Sequence, residues 1–394
     1  MLVHGMSKEP VPSDWPPLTT TEVRRLLLDL HLDGAGEAEV EWRSPRPFSS
    51  AALVALPGGR LVVKRHGASV RSIVSLEAEH AFMRHLATQS VPVPAVRDDG
   101  RASAWQVGGS VYEVLQELPG QDLYADAPSW TPFASTDHAV AAGAALARVH
   151  LASQGYDAPP REVEPLYASG RVISSGDPLA AIVALADELA GLGDYLSRRP
   201  AYEQEISRAL KPLQEQFLPH SGALGSLWAH NDWHPSNLLW SGPGEGEGVA
   251  GVIDFGLANL TSACYDLATA LERSAVGWLE PIEGRPVHAT LARAFLRGYW
   301  SGRPLQPTEA AALPHLLPIV HVEYALSEVA YFWRVVGSPK NADVAYDTYL
   351  LGHLRWFAGE DGRRLCSYLA KVTEELAVYP SPAGTGHAKA DPRT

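Results

Sequence analysis

Two polar stretches of this chain carry the side chains best suited to chemistry. Residues 230–237 include Asp232 and Asn237, and residues 253–256 read Ile-Asp-Phe-Gly, with Asp254. Apolar segments flank both stretches, which predicts short buried strands around polar loops. Two carboxylates and an amide offer hard oxygens, which suit Mg²⁺ bound to the phosphates of a nucleotide. One carboxylate is then left free to handle a proton.

The order H-x-D-x-x-x-x-N followed by D-F-G resembles the catalytic and metal-binding loops of the protein-kinase-like superfamily. An Asx-rich turn at a strand end could explain the first part of this pattern, but it does not explain both motifs together. Asn231 replaces the Arg usual in protein kinases and the Gly usual in their small-molecule relatives. Only residues 257–264 separate Gly256 from Tyr265, and no A-P-E follows. A peptide-docking segment does not fit there, which favours a small-molecule substrate.

The composition is that of a globular protein with two lobes. A chain of 394 residues with 46% hydrophobic content can bury two cores. The formal net charge of −13 comes without long single-sign runs, which argues against nucleic-acid or membrane partners. Two cysteines are too few for a disulfide scaffold or a thiolate zinc site. With no signal peptide or long apolar run, we expect a soluble, cytoplasmic protein.

The elements that must position the polar loops follow from the hydrophobic patterning. Thr19 begins a capping box that predicts a short helix, and a small antiparallel sheet is predicted with a Pro-Gly-Gly hairpin turn at 57–59. The strands of this sheet are predicted at 39–42, 52–55 and 61–64. Helical patterning dominates 130–218, 287–300, 309–336 and 345–378. We predict a flexible arm over 1–18, an N-lobe over 19–115, a C-lobe over 116–380 and a flexible tail over 381–394.

Lys64 is the candidate for binding phosphates from the opposite side of the cleft. It is one of only six lysines, and it follows Leu-Val-Val in a predicted strand, where an unpaired ammonium would be costly. Glu77 and Glu79 lie on the helix predicted next, and either could supply its carboxylate partner. The structural alternative is a solvent-facing lysine on an edge strand.

A strand over 110–118 breaks at Pro119-Gly120, as a hinge between two lobes would. Its exposed backbone N–H and C=O groups could pair with the edge of an adenine, so Glu113, Leu115 and Gln116 are candidate nucleotide-binding residues. An ordinary strand and turn without a ligand is the alternative.

Residues from about 39 to 268 together resemble the aminoglycoside phosphotransferase and choline kinase-like small-molecule kinases. The helix that opens at Glu79, the E-x-P-G-Q-D-L ending of the hinge and the Asp-Leu-Ala run at 266–268 carry this resemblance, beside the two loops. It implies an α+β, bilobal protein-kinase-like fold, with a small antiparallel sheet and one main helix in the N-lobe. The C-lobe would be large and mostly helical.

The same resemblance implies roles for individual residues. Asp232 would accept a hydrogen bond from the acceptor hydroxyl and take its proton, while Asn237 and Asp254 would hold Mg²⁺. Lys64, fixed by Glu79 in preference to Glu77, would bind the phosphates of ATP or GTP.

Other positions near the loops have predicted structural roles or two open interpretations. His230 is predicted to be a scaffold residue, and Asp266 a buried acceptor that braces the catalytic loop. His234 either contacts the transferring phosphate or packs within its loop. No G-x-G-x-x-G precedes Lys64, and the corresponding turn is Ser-Pro-Arg-Pro-Phe-Ser-Ser at 44–50. We expect Ser49 and Ser50 there to contact phosphates.

Substrate determinants should face Asp232 from the helix predicted over 321–334. His321, Tyr324, Glu328 and Tyr331 share one face of that helix. A carboxylate between tyrosines suits an ammonium group, although core packing around a hydrogen-bonded Glu is the simpler alternative. The motifs do not separate an aminoglycoside or another antibiotic from homoserine, choline or a sugar.

Two other classes of function compete with a kinase. A nucleotide-binding module without transfer activity is compatible with Asn231 and the missing glycines. A metal hydrolase could use the H-x-D-x-H spacing of His230, Asp232 and His234, but it leaves Lys64 and the hinge unexplained. The sequence predicts a kinase and leaves open the acceptor, the choice between ATP and GTP, and the oligomeric state.

Overall fold

A computed structural model describes residues 13–241, 248–281 and 284–378. They form a small N-lobe, built on a sheet, and a large helical C-lobe. The N-lobe strands are β1 (Glu39–Arg43), β2 (Ser50–Leu56), β3 (Gly59–Gly67), β4 (Ala104–Val107) and β5 (Ser110–Gln116). They pair antiparallel in the order β1-β2-β3-β5-β4, so the predicted antiparallel sheet is confirmed.

Helix α1 (Thr20–Asp29) covers one face of this sheet. The predicted capping box is present, because the Thr19 side chain accepts from the N–H of Glu22 and the Glu22 carboxylate accepts from the N–H of Thr19. The sheet residues packed with α1 share one face, and they are Ala52, Val54, Leu61, Val63, Tyr112 and Val114. Side chains alternate along a strand, so the residues between these point toward the cleft between the lobes.

Helix α2 (Ile73–Thr88) connects the N-lobe to the core of the C-lobe. Ser72 caps its first turn by accepting from the N–H of Ser75. Phe82 on α2 packs against Trp228 and Phe255, with ring centroids 5.4 and 6.0 Å apart. Because Phe255 follows Asp254 directly, α2 and the candidate metal loop share one hydrophobic core.

The C-lobe consists mainly of helices, as predicted. They are α3 (Thr136–Ala152), α4 (Pro178–Glu188), α5 (Leu192–Ser197), α6 (Tyr202–Ser221), α7 (Ala263–Ala275), α8 (Ala289–Gly302), α9 (Pro307–Leu316), α10 (Val322–Ala330), α11 (Pro339–Val344), α12 (Leu351–Ala358) and α13 (Glu360–Val378). Two π-helical segments, Tyr331–Val336 and Ala345–Leu350, follow α10 and α11. Residues 153–177 differ from the predicted helical character, since they cross the lobe as irregular chain.

Two glycines allow α3 and α8 to cross in close contact. A Cβ on Gly143 would collide with the carbonyl oxygen of Phe295, and a Cβ on Gly298 would collide with that of Val140. Any larger residue at either position would push the helices apart. This crossing packs α8 against the helix that carries His150, which lies behind the catalytic loop.

Two short antiparallel strand pairs bracket the polar loops. Strand β6 (Ser226–Ala229) pairs with β9 (Asn259–Ser262), and β7 (Leu238–Trp240) pairs with β8 (Val249–Val252). The polar residues 230–237 therefore follow β6, and Asp254 follows β8. The prediction of short strands around the polar loops is confirmed.

Residues 13–18 differ from the predicted flexible arm because they lie against both lobes. The Trp15 indole donates a hydrogen bond to the Tyr331 hydroxyl at 3.2 Å, and its ring fills the space above Gly67, where a Cβ would collide with it. Leu18 is buried, and these apolar side chains anchor an otherwise polar, proline-rich segment.

The rest of the predicted arm, 1–12, and the predicted tail, 381–394, lie outside the described residues. Among the residues that are described, no helix combines the length and apolar character needed to cross a bilayer.

Candidate active site

Asp266 on α7 holds the candidate catalytic loop, residues 230–237, from behind. Its carboxylate accepts hydrogen bonds from the backbone N–H groups of His230 at 3.0 Å and Asn231 at 2.9 Å. A ring nitrogen of His150 lies 3.0 Å from the same carboxylate. All four residues are buried, so the predicted bracing role of Asp266 is confirmed.

Asn231 and Asp254 both have a left-handed backbone, with φ of 59° and 62°. This conformation costs free energy for residues other than glycine and is often found at functional sites. Asn is among the residues that tolerate it best. The Asn231 amide nitrogen also lies within hydrogen-bonding distance of three backbone carbonyls, and its oxygen accepts from the Thr261 hydroxyl at 2.8 Å. The departure from Arg or Gly at this position therefore has a structural explanation.

His230 and Asn237 connect the catalytic loop to the metal loop. The His230 ring approaches the Ile253 carbonyl at 3.0 Å through Nε2, and its Nδ1 accepts from the N–H of Asp232 at 3.2 Å. The carbonyl of Asn237 accepts from the N–H of Ile253 at 3.0 Å. Burial lowers the pKa of His230, so its ring is neutral and acts as a scaffold, as predicted.

The Asn237 amide and the Asp232 carboxylate lie together at the mouth of the loop. The amide nitrogen of Asn237 donates to the main-chain oxygen of Asp232 at 2.8 Å and to its carboxylate at 3.0 Å. The amide oxygen is then the atom free to ligate a cation. The Asp232 side chain is 19% exposed, so an acceptor hydroxyl can reach it.

Lys64 meets Asp254 across the cleft. Its Nζ lies 3.3 Å from Oδ1 of Asp254, and the Asp254 side chain is 51% exposed. Burial opposes the charged form of Lys64, but Asp254, then Glu113 and Glu79, outweigh it and raise its pKa. The Lys64 ammonium in turn lowers the pKa of Asp254. The predicted convergence of the N-lobe amine and the metal loop is therefore observed.

The acidic partner expected for Lys64 differs from the one in the structure. In the described part of the chain Glu79 makes its ion pair with Arg161 at 3.9 Å, and Lys64 makes its own with Asp254. Glu79 is buried and its pKa is raised, first by burial and then by the charge of Glu113. Glu77 is more exposed than Glu79, which is consistent with the preference for Glu79 over Glu77 as the interior carboxylate.

Glu113 was predicted as a hinge residue, but its side chain points into the interior beneath Lys64. Burial opposes its ionisation, yet Lys64 and hydrogen bonds from His66 and His80, both at 3.0 Å, lower its pKa well below the ordinary value. Lys64 and Glu113 are direct cross-strand neighbours. Side chains alternate along β3 and β5, and this alternation could have predicted that Lys64 and Glu113 point to the same side of the sheet.

Two buried arginines that sequence reasoning missed hold the metal loop. Arg71 donates to the carbonyl of Gly256 at 2.7 Å, and Arg161 donates to the same oxygen at 2.9 Å. Burial lowers the pKa of Arg161 to about 10, so it remains protonated at neutral pH. The two residues are far apart in sequence, and no motif connects them to Gly256.

The turn that replaces a glycine-rich loop carries Arg46. Burial lowers the pKa of Arg46, while the charges of Asp122 and Asp254 partly restore it. Its guanidinium donates a hydrogen bond to the Ser129 hydroxyl at 3.3 Å. Ser50 faces away, because its hydroxyl donates to the carbonyl of Pro16 at 2.7 Å, and Ser50 pairs with Arg65 on β3, one residue out of phase with Lys64. The prediction of a phosphate contact by the Ser50 hydroxyl is wrong.

Ser49 is half-buried in that turn, and its contact with phosphate stays a prediction.

The hinge differs in part from the prediction. The N–H of Gln116 donates to the carbonyl of Ala95 at 2.8 Å, and Leu115 bridges to Val96 while it pairs with Val62. The Gln116 N–H is therefore occupied within the N-lobe. Pairing of these residues with adenine would have to use their other backbone groups.

Arg273 on α7, which sequence reasoning missed, lies beside the candidate base Asp232. Its guanidinium contacts the Asp232 carboxylate, and it lies over the rings of Tyr324 at 5.2 Å and Trp130 at 5.9 Å. Arg273 is only 3% exposed, and its Nε has no hydrogen-bond partner among the described residues. A buried guanidinium beside the candidate base is positioned to bind an anionic group of a substrate.

Glu328 and Tyr324, predicted from their helical face, adjoin Arg273. Burial raises the pKa of Glu328 to about 8, against the opposing influence of Arg273 and the Tyr324 hydroxyl. Tyr331, predicted on the same helical face, has other partners, because its hydroxyl donates to Asp14 at 2.9 Å and accepts from Trp15. Seven residues of helix span about 10 Å, so one face can reach two separate environments.

His234 is buried within the loop. Its Nε2 lies 3.7 Å from the Asp232 carboxylate, and burial, followed by the charge of Arg46, lowers its pKa to about 3. The ring is neutral at physiological pH, and its Nδ1 has no hydrogen-bond partner in the described structure. Both interpretations of His234, a phosphate contact and loop packing, remain open.

Comparisons with known proteins agree with this geometry. A family model described as "Phosphotransferase enzyme family" matches residues 48–305, which is more than half of the chain. Homoserine kinase of Acidiphilium cryptum (strain JF-5) is 30% identical over 263 residues, which cover 66% of this chain and 70% of that one. Homoserine kinase of Rhodopseudomonas palustris (strain TIE-1) is also 30% identical, over 65% of this chain and 68% of its own.

Two solved structures show the same fold. The structure of a microcompartment-associated aminopropanol kinase superposes with a TM-score of 0.59 at 17% identity, over 91% of this chain and 98% of that one. The amicoumacin kinase hAmiN, solved with AMP-PNP, Ca²⁺ and Ami, gives a TM-score of 0.51 at 14% identity, over 88% and 91%. The expected bilobal, protein-kinase-like fold is confirmed.

Proposed function

The chain belongs to the phosphotransferase enzyme family, and on that premise we propose that it is a Mg²⁺-dependent kinase for a small, amine-bearing alcohol. A small-molecule kinase that acts on a hydroxyl group is what the family and the curated relatives support. The metal, the roles of the site residues and the acceptor are parts of the proposal. The contact between Lys64 and Asp254 carries it, because it joins the N-lobe amine and the metal loop in one cleft.

The nucleotide half of the site binds the phosphates of ATP or GTP. Lys64 and Arg46 provide positive charge from the N-lobe, where the Gly-rich loop of other kinases would supply backbone N–H groups. Asn237 and Asp254 offer an amide oxygen and a half-exposed carboxylate, which fit Mg²⁺. When bound, the ion neutralises charge on the phosphate oxygens. Lys64 then exchanges its contact with Asp254 for the phosphates.

Asp232 is the proton acceptor. Its backbone is fixed by the Asp266-braced loop, and its carboxylate is oriented by the Asn237 amide. A hydroxyl that donates a hydrogen bond to Asp232 has its oxygen aimed at the γ-phosphate. As its bond to phosphorus forms, the bond from phosphorus to the β–γ bridging oxygen breaks, the nucleoside diphosphate leaves, and Asp232 takes the hydroxyl proton.

The acceptor carries an amine and an anionic group, as a hydroxy amino acid does. Glu328 and the ring of Tyr324 suit an ammonium, and Arg273 suits a carboxylate. The similarity to homoserine kinases supports this choice. Binding of a carboxylate by Arg273 would free Asp232 from its present contact and make it available as the base.

A panel of acceptors tests the proposal. Nucleotide-dependent phosphorylation is measured with homoserine, 1-amino-2-propanol, choline, a hexose and kanamycin, with ATP and with GTP, and each product is identified by mass spectrometry. We expect kcat/KM for homoserine to exceed that of the amino alcohol by about 10-fold or more, the value of one charged hydrogen bond. Turnover confined to kanamycin or the hexose would contradict the proposed acceptor class, and tight nucleotide binding without any turnover would favour a binding module. The cytoplasm remains the predicted location.

A further inference from the structure

A second polar cluster lies behind the candidate site, in the interior of the C-lobe. Glu272 is on α7, His321 comes directly before α10, and His353 is on α12. Their exposed fractions are 1%, 3% and 0%. One possible ligand atom from each residue lies within 4.8 Å of those of the other two. Burying three titratable groups together costs free energy unless each of them is paired.

The hydrogen bonds of His321 leave one of its nitrogens without a partner. Its Nε2 lies 3.2 Å from the carbonyl of Leu350, which can only accept, so the proton is on Nε2. Nδ1 therefore carries a lone pair, and it has no hydrogen-bond partner among the described residues. Metal-binding histidines commonly show this arrangement, in which a backbone carbonyl fixes the ring and leaves the other nitrogen free.

His353 also has one ring nitrogen without a hydrogen-bond partner among the described residues. Its Nδ1 lies 2.8 Å from Oε1 of Glu272, while its Nε2 is buried without a partner in the part of the chain that the structure describes. Stacking on Trp278, with ring centroids 3.4 Å apart, fixes the plane of the imidazole. Two imidazoles and a carboxylate thus lie close together in the interior, and two buried polar atoms there have no partner among the described residues, each at a cost of about 1–3 kcal/mol.

We infer that Glu272, His321 and His353 form a buried site for a transition-metal ion, best suited to Zn²⁺, with a water molecule as the fourth ligand. Two imidazole nitrogens and one carboxylate oxygen are a ligand set that Zn²⁺ uses, whereas Mg²⁺ prefers oxygen ligands alone. Zinc bonds of about 2.1 Å in a tetrahedron place ligand atoms about 3.4 Å apart. The ligand atoms of the present arrangement lie within 4.8 Å of one another, so the side chains must move closer to reach that spacing. This site goes beyond phosphoryl transfer and does not depend on it.

The position of the site gives it a structural consequence. The ion would join α7, α10 and α12, which are separate segments of the chain. Glu272 precedes Arg273, whose guanidinium contacts Asp232. A metal bound to Glu272 would therefore stabilise the end of α7 from which Arg273 reaches the catalytic loop.

The test uses the full-length chain purified without a metal-affinity tag. Metal content is measured by mass spectrometry, and thermal unfolding is followed after chelation and after titration with zinc. The variants are His321→Gln and His353→Gln, and His315→Gln is the matched control, since His315 is half-buried and stacks on His220 instead. We expect one zinc per chain and a zinc-dependent rise in Tm for the wild type and the control, and loss of both in the two cluster variants.

Other outcomes decide against the site. Wild-type protein that neither retains nor takes up zinc, or cluster variants that bind zinc as the wild type does, would overturn the inference. If a His variant fails to fold, Glu272→Gln replaces it, because Gln keeps the volume and a hydrogen bond to His353. Anomalous diffraction from wild-type crystals at the zinc edge distinguishes a metal from a buried water, and a water at this position would also overturn it.

Discussion

The proposed nucleotide half and the proposed acceptor half of the cleft are built in different ways. Side chains of the nucleotide half project from two short loops and one strand, and their backbones are held by Asp266, Arg71 and Arg161. The acceptor half consists of buried side chains on separate helices, with Arg273 on α7 and Glu328 on α10. Phosphate chemistry thus depends on a braced backbone, while acceptor choice depends on a few charges inside the helical lobe. Activity and specificity should therefore be separable by mutation.

Asp232 belongs to both halves, and its substitution should have the largest effect. Asp232→Asn keeps the shape of the side chain and removes the proton acceptor, so kcat should fall about 10²–10⁴-fold while the KM for ATP changes little. Steady-state kinetics and nucleotide binding by calorimetry check this prediction, with Tm as the control for folding. A variant with nearly normal kcat would remove Asp232 from the chemistry and end the division into two halves.

Arg273 tests the acceptor half alone. In Arg273→Gln the charged contact with an acceptor carboxylate is lost, so kcat/KM for that acceptor should fall about 10- to 100-fold, with an unchanged KM for ATP. Arg285→Gln is the control, because Arg285 lies over Trp278, away from the loop. Equal losses for acceptors with and without a carboxylate would mean that Arg273 only positions Asp232.

Arg46 tests the nucleotide half from above. Arg46→Ala removes a cation from the turn that replaces the Gly-rich loop, and we expect the KM for ATP to rise about 10-fold, the value of one charge-assisted contact. The KM for the acceptor should stay the same. Arg60→Ala is the matched control, since Arg60 is half-exposed and pairs with Glu41. No change in the variant would leave Lys64 as the principal cation of the N-lobe.

Glu328 should give the smallest effect, seen as a pH dependence. Burial raises the pKa of Glu328 to about 8, so in the free protein the carboxyl is neutral below that pH and ionised above it. An ammonium binds the ionised form better, so the KM of an amine acceptor should fall a few-fold as pH rises from about 7 to about 8.5. Glu328→Gln should flatten this profile. A profile of the same shape in the variant would assign the titration to another group.

Local sequence patterns predicted much of the nucleotide half. The two loops are contiguous motifs, and the hairpin that carries Lys64 is specified by Pro57 and the glycines after it, so neither required knowledge of distant contacts. The prediction for Ser50 was wrong because it placed the side chain on the wrong face of β2. Ala51, not Ser50, is the residue opposite Lys64. Counting alternate residues back from Lys64 through the turn would have shown that Ser50 faces α1.

The remainder depends on contacts between distant segments. Arg71, Arg161 and Arg273 are separated from the groups they contact by parts of the chain without regular spacing, so no motif connects them. The Glu79 prediction used helix periodicity and a family resemblance, which give the direction of a side chain but not the competition between Arg161 and Lys64. Tyr331 lies where α10 widens into a π-helical segment, and its partners come from the start of the chain.

The docked segment at 13–18 gives the two lobes a contact in addition to the chain that joins them. Strand β5 leads to the hinge predicted at Pro119 and Gly120, and Trp15 provides a second attachment between the lobes by resting on Gly67 while bonding to Tyr331. Helix α2 also packs into the core of the C-lobe, so these contacts together oppose a wide separation of the lobes. Any wide opening of the cleft must separate the Trp15 indole from Gly67 or from Tyr331, and segment 13–18 therefore limits how far the lobes can part during a catalytic cycle.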